Sequence, residues 1–216
     1  MTDLNYKEKV RGYHGTFESV VKDIIDSGFK MEKRSDHWLG QGIYLYSEFA
    51  LSKWWIETKI NKLHLNEEPA VIEVVCKDNV KVLNLDSVEG VNFFLSALEE
   101  VLEELKQLNC TFKFKKDSSI KSIIKNRCFV LDLLKKKYEI GVVIYTFEKT
   151  KPSYGEFDLE KFERENFLIG IRYKETQICI SNNNCIDGKR CVYPIKEFDY
   201  NKIEDKVIVK RRSRLI

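Results

Sequence analysis

Residues 13–55 read YHGTFESVVKDIIDSGFKMEKRSDHWLGQGIYLYSEFALSKWW, and the order of elements in this stretch decides the fold. Residues 10–14, Val-Arg-Gly-Tyr-His, have the pattern of a short strand ending in a turn at Gly15-Thr16. A helix is expected next, with Thr16 as its cap and Val20, Val21, Ile24 and Ile25 on one face; Gly28 closes it. Residues 36–42 are polar and glycine-rich, which predicts a loop. Ile43 to Tyr46 then reads as a strand, and Ser47 is placed to cap a helix carrying Phe49, Ala50, Leu51, Trp54 and Trp55.

Further along the chain, Val71–Cys76 is a strand with β-branched residues on both faces, and Val80–Leu85 a second. The period then changes. Phe94, Leu98, Val101, Leu102, Leu105 and Leu108 follow helical spacing, as do Ile120, Ile124, Cys128, Leu131 and Leu134. Residues 88–137 are therefore expected to be two amphipathic helices, an insertion packed on the sheet. The remainder reads as β: Ile140–Phe147, Phe167–Tyr173, Gln177–Ser181 and Lys206–Val209. Strands at both ends with helices between give an α+β class in one domain over residues 1–216.

The chain has 216 residues, 43% apolar and 33% charged, with thirteen Phe, ten Tyr and three Trp. That composition supports a packed core and excludes a disordered or low-complexity chain. The net charge of +3 is too small to imply nucleic-acid binding by itself. Its placement is more telling, because cations gather at Lys113, Lys115 and Lys116, at Lys135–Lys137, and from Lys206 to Arg214. The six cysteines form no C-x-x-C pair, so no metal site is expected. Neither a signal peptide nor an apolar run of membrane-spanning length is visible, so the expected setting is cytoplasmic, with no membrane partner and reduced thiols.

Three segments carry chemistry: Tyr13-His14-Gly15-Thr16 at a strand end, Leu39-Gly40-Gln41-Gly42-Ile43-Tyr44-Leu45, and Glu175-Thr176-Gln177-Ile178-Cys179-Ile180-Ser181 late in the chain. Singly, none is specific. In this order and with these flanks they resemble the ADP-ribosyltransferase superfamily, in the branch of diphtheria toxin and the poly(ADP-ribose) polymerases whose signature is His, Tyr and usually Glu. There a strand with His-Gly-Ser/Thr precedes a helix ending in Gly, and a loop leads into Gly-x-Gly-Ile/Val-Tyr. The resemblance implies a split antiparallel sheet around an NAD⁺ cleft.

It also implies roles. His14 would bond a hydroxyl of the adenosine ribose, with Thr16 beside that ribose. Gly15 would offer its backbone to the nicotinamide carboxamide, which the missing Cβ permits. Tyr44 would stack on the nicotinamide ring, Ser52 would place a hydroxyl on the carboxamide, and Trp55, or Trp54 one register away, would be the second aromatic. The third position departs from the pattern. Gln177 stands where the family carries Glu, and an amide orients a hydroxyl but is not a base. Glu175 lies two positions earlier on the same strand face and would supply the charge; another acid serving instead is the alternative.

The activity implied is mono-ADP-ribosyl transfer from NAD⁺, used as substrate without a metal, to a macromolecular acceptor, with nucleic acid favoured slightly over protein. The small size resembles intracellular toxins of toxin–antitoxin or phage-defence systems, whose partner would be an antitoxin protein. Two other readings stand beside it. One is an RNA 2′-phosphotransferase, which shares His-Gly-Thr but needs paired arginines; the other is a non-catalytic NAD⁺- or nucleic-acid-binding module.

Overall fold

The computed structural model describes residues 4, 8–108, 119–149 and 173–194. In chain order these form β1 (Arg11–Phe17), α1 (Glu18–Ser27), β2 (Ile43–Tyr46), α2 (Phe49–Leu63), β3 (Pro69–Cys76), β4 (Val82–Asn84), α3 (Val88–Gln107), α4 (Ile120–Tyr138), β5 (Val142–Lys149), β6 (Tyr173–Ile180) and β7 (Ile186–Tyr193). The class is α+β. The expected strand Lys206–Val209, most of Phe167–Tyr173, and the lysine cluster at 113–116 lie outside the described residues, as does the basic stretch 206–214.

The strands make one seven-stranded sheet in the order β4-β5-β6-β2-β1-β3-β7. It is mixed, which corrects the expectation of an antiparallel sheet: β4 runs parallel to β5, whereas the other pairs are antiparallel. The reason is the helical stretch itself. Parallel neighbours need a long crossover, and α3 and α4 provide it between β4 and β5.

Pairing is uneven across the sheet. β1 matches β3 through seven consecutive pairs from Arg11↔Val75 to Phe17↔Pro69. β2 matches β6 through four. Between β1 and β2 a single pair is in register, Tyr13↔Tyr46. The sheet therefore parts beyond Tyr13, and the β2-facing edge of β1 is open from His14 onward.

Two apolar clusters cover the two faces. Ile72, Val74, Ile178 and Ile180 pack with Ile24 of α1, while Leu83, Val143 and Cys179 pack with Phe93 of α3 and with Leu131 and Leu134 of α4. Neighbouring residues of β6 divide between the clusters, as the two-residue period of a strand requires. Burying this many aliphatic side chains, at roughly 1.5–3 kcal/mol each, is the main force holding the sheet and helices together.

Both expected helix caps are displaced. Thr16 lies inside β1, because pairing with β3 carries that strand on to Phe17; the residue before α1 is Phe17, with no side-chain cap. Ser47 does not cap α2 either. Its N–H donates to the Thr176 carbonyl at 3.1 Å, extending the β2–β6 ladder, and Glu48 precedes the helix. Gly28 does end α1, with φ at +89°, and its N–H donates to the Ile24 carbonyl. Strand β7 was not expected at all. Its Asp187-Gly188-Lys189-Arg190 run breaks the apolar alternation that marks a strand, as suits a sheet edge.

Candidate active site

The parting of β1 from β2 opens a cleft, and the first two sequence motifs face each other across it. His14 bridges the gap: its Nδ1 lies 2.8 Å from the carbonyl oxygen of Tyr44. The carbonyl can only accept, so Nδ1 carries the proton and Nε2 keeps its lone pair. The His14 ring stands edge-on to Phe29 at 5.0 Å. Burial holds its pKa below the ordinary 6.5; the bond to Tyr44 opposes this, and nearby Lys59 adds to it. His14 is therefore neutral at pH 7.

Tyr44 is fixed at both ends. Its hydroxyl accepts from the Leu39 N–H at 2.7 Å and donates to the Gly40 carbonyl at 2.7 Å. Burial pushes its pKa upward. With the hydroxyl occupied, the group available to a ligand is the ring face. Gly15 is required for a packing reason: a Cβ there would lie 2.5 Å from the Ser52 carbonyl oxygen of α2. The missing side chain lets α2 press on β1 and so brings Trp54 and Trp55 to the cleft.

The cleft has two joined compartments. One, of about 410 Å³, is aromatic and is lined by Tyr44, Tyr46, Trp38, Trp54, Trp55 and Gln177 among others. The second, of about 450 Å³, includes Thr16, Val20, Phe29, Lys30 and Lys59. His14, Gly15, Arg34, His37, Tyr44 and Trp55 line both. Each compartment falls within the size range of small-molecule sites.

Of the residues singled out from sequence, His14, Gly15, Tyr44, Trp54, Trp55 and Gln177 meet at the aromatic compartment, and Thr16 lines the second. Ser52 and Glu175 do not line the cleft. Ser52 is fully buried behind Gly15. Glu175 is 1% exposed, on the sheet face that carries Gln177, and its charge reaches Tyr46. Burial first and Glu175 second raise the Tyr46 pKa to about 12.

The sequence predicts a loop over residues 36–42 but marks no site residue in it; the connection over residues 29–42 supplies Arg34, His37 and Trp38 to the cleft. Arg, Asp, His and Trp within five residues between two glycine-containing motifs was the available signal. The loop is pinned where it begins and where it ends. Asn183 accepts from the Phe29 N–H at 2.9 Å and donates to the Phe29 carbonyl at 3.0 Å. Asp132 of α4 accepts from the Gln41 N–H at 2.6 Å, and Lys135 donates to the Gln41 carbonyl at 2.8 Å. Within the loop, the Gln41 side chain bonds both backbone groups of Arg34.

These contacts also correct the reading of Lys135–Lys137 as a free cationic cluster. Lys135 is buried, reaching Cys179 Sγ at 3.2 Å as well as Gln41. Lys137 is paired with Glu100 and Glu104. A helix face that must reach into the core leaves Lys136 alone exposed. Among the described residues no group of three or more His, Cys, Asp or Glu is placed to hold a metal ion, and no helix is long and apolar enough to cross a membrane.

An uncharacterised protein of Methanocaldococcus jannaschii is 25% identical to the chain over 211 residues, covering 91% of each. No protein-family model matches the chain, and no solved structure matches it.

Proposed function

We propose that the chain is a mono-ADP-ribosyltransferase that cleaves NAD⁺ at the nicotinamide–ribose bond and passes ADP-ribose to a macromolecule. The observation that carries this reading is the convergence of His14, Tyr44 and Gln177 on one aromatic cleft with a second compartment beside it. Three separated sequence motifs matter to a dinucleotide only if they meet, and here they do.

In this reading nicotinamide lies on the Tyr44 ring, with Trp55 as the second aromatic wall. The open edge of β1 at Gly15 bonds its carboxamide, and Ser52, fully buried behind Gly15, does not reach it. The adenosine ribose sits toward Thr16, its hydroxyl donating to Nε2 of His14. Gln177 orients the 2′-hydroxyl of the other ribose. Glu175, buried behind Gln177, adds negative potential where the sugar becomes oxocarbenium-like, and so acts through its field. Cleavage of this kind needs a gripped carboxamide, a held ring and a steadied cation, all of which organic side chains and backbone provide.

The acceptor we favour is a nucleic acid. Trp38 is 38% exposed at the aromatic compartment, which Arg34 also lines; an exposed aromatic with a cation beside it stacks bases and holds phosphates. An RNA 2′-phosphotransferase needs paired arginines, and among the described residues Arg34 is the one arginine lining the cleft. The test incubates a cell lysate with the protein and radiolabelled NAD⁺, then treats the product separately with nuclease and protease. Label released by nuclease supports the reading. Label released by protease alone moves the acceptor to protein, and free ADP-ribose with no labelled macromolecule makes the chain a hydrolase.

A further inference from the structure

The aromatic compartment has no acidic side chain among its described lining residues, because Gln177 occupies the third motif position. Transfer nonetheless frees a proton. The bond from the nicotinamide nitrogen to C1′ of the ribose breaks, and the pyridinium leaves as neutral nicotinamide. An acceptor N–H or O–H then bonds to C1′ through its lone pair and must lose its hydrogen to a base.

We propose that His37 is this base, a catalytic residue that takes the acceptor's proton on Nε2; the inference rests on the transferase reading above. His37 lines both compartments. Its ring centroid is 5.2 Å from that of Tyr44, tilted by 58°. The other titratable groups of the aromatic compartment are committed or unsuited. His14 spends Nδ1 on the Tyr44 carbonyl and, in the reading above, Nε2 on the adenosine ribose, and the Tyr44 hydroxyl is held by the loop. Tyr46 stays protonated, and Arg34 stays charged.

Nε2, open to the cleft, is basic only in the tautomer that carries the ring hydrogen on Nδ1, which is buried without a hydrogen-bond partner. Arg34 and Asp36 face the ring from its own loop, Asp132 and Lys135 from α4, and Tyr44 from β2. Burial first, then Arg34 and Lys135, depress its pKa below the ordinary 6.5, while Asp36 and Asp132 oppose them. His37 is thus neutral at pH 7, and two carboxylates stand near to steady the imidazolium that forms.

The experiment compares wild type, His37→Gln and His37→Ala. It measures transfer of radiolabel from NAD⁺ to lysate macromolecules, and nicotinamide release in the same reactions, from about pH 5 to about pH 9, with and without added imidazole. His37→Ala is expected to lower kcat for transfer by about a hundredfold, to affect KM for NAD⁺ far less, and to lose the acid limb of kcat. Added imidazole should restore part of the rate. Protonation of His14, by contrast, should weaken NAD⁺ binding and appear in KM. Folded His37 variants with kcat within about threefold of wild type, an unchanged acid limb, or no rescue by imidazole would overturn the assignment. If wild-type protein releases no nicotinamide, the transferase reading has failed and this proposal falls with it. Release and transfer that are both insensitive to His37 overturn this proposal alone.

Discussion

The imidazole Nδ1 of His14 lies 2.8 Å from the carbonyl oxygen of Tyr44, fastening the first motif to the second where the sheet parts. One registered pair, Tyr13↔Tyr46, joins β1 and β2; one residue further on, the side chain of His14 does what a ladder hydrogen bond would otherwise do. The same bond fixes the tautomer that leaves Nε2 as an acceptor for a ligand hydroxyl. The Tyr44 contact thus uses Nδ1 and leaves Nε2 out of it.

The burial of His14 makes stability depend on pH, and the bond to Tyr44 reduces the effect. Unfolded, His14 takes a proton near 6.5; folded, burial lowers its pKa. The unfolded state therefore binds more protons in the window between the two values, and stability rises with pH across it. Stability should be full above about pH 6.5, fall as pH drops toward the folded value, and level off below it. His37, depressed first by the same cause, adds a slope of the same sign. Urea unfolding across this range should show a shallower pH slope for His14→Gln than for wild type; an identical slope contradicts the account.

Tyr44→Phe separates the ring from its hydroxyl. The ring face remains, but the Leu39 N–H and the Gly40 carbonyl both lose their partner beside the core. A loss of about 2 kcal/mol of stability is expected from leaving such groups unpaired. Nicotinamide release should fall much less in Tyr44→Phe than in Tyr44→Ala, which removes the stacking face as well. Equal activity losses in the two variants would show that the hydroxyl, not the ring, is what the reaction uses.

The strands and helices were largely legible because their apolar periods are strong: Val71–Cys76 and the two long helices were read close to their observed bounds. His14, Gly15, Tyr44 and Gln177 were legible from motif order. What sequence could not supply is contact across long separations. Gln41 meets Asp132 and Lys135 more than ninety positions away, and no local pattern encodes that meeting. Thr16 and Ser47 looked like caps because their residue types favour caps; ladder pairing with β3 and β6 overrode the local preference. The parallel β4–β5 pair was hidden for the same reason, since direction follows from the crossover and not from strand composition.

The α4 brace should control the loop from a distance. Asp132→Ala leaves the Gln41 N–H without its partner, and Lys135→Met leaves the Gln41 carbonyl without its own. Each should cost about 1–3 kcal/mol and speed hydrogen exchange at the Gln41 amide. KM for NAD⁺ should rise in both, although neither residue lines the cleft. Unchanged exchange at Gln41 in Asp132→Ala would show that this contact does not hold the loop.

Gln177 and Glu175 differ in reach. Gln177 lines the cleft and Glu175 does not, so Gln177→Ala should lower nicotinamide release by about a hundredfold, the scale of losing one transition-state contact worth about 3 kcal/mol. Gln177→Glu should retain activity, because it keeps the acceptor oxygen and adds charge. Glu175→Gln should reduce release less than Gln177→Ala does, and should lower the Tyr46 pKa from about 12 by removing its negative neighbour. Steady-state rates and a tyrosine titration measure both. An intact rate in Gln177→Ala would remove the third motif from the chemistry.

If the cleft held open at His14 and Tyr44 cleaves NAD⁺, purified protein releases nicotinamide from it, and that release is measured directly. Wild-type protein should release nicotinamide continuously at pH 7.5. His14→Ala and Tyr44→Ala, shown to be folded by circular dichroism, should each release it at least about a hundredfold more slowly. No nicotinamide from wild type, or release from both folded variants at the wild-type rate, would contradict the claim.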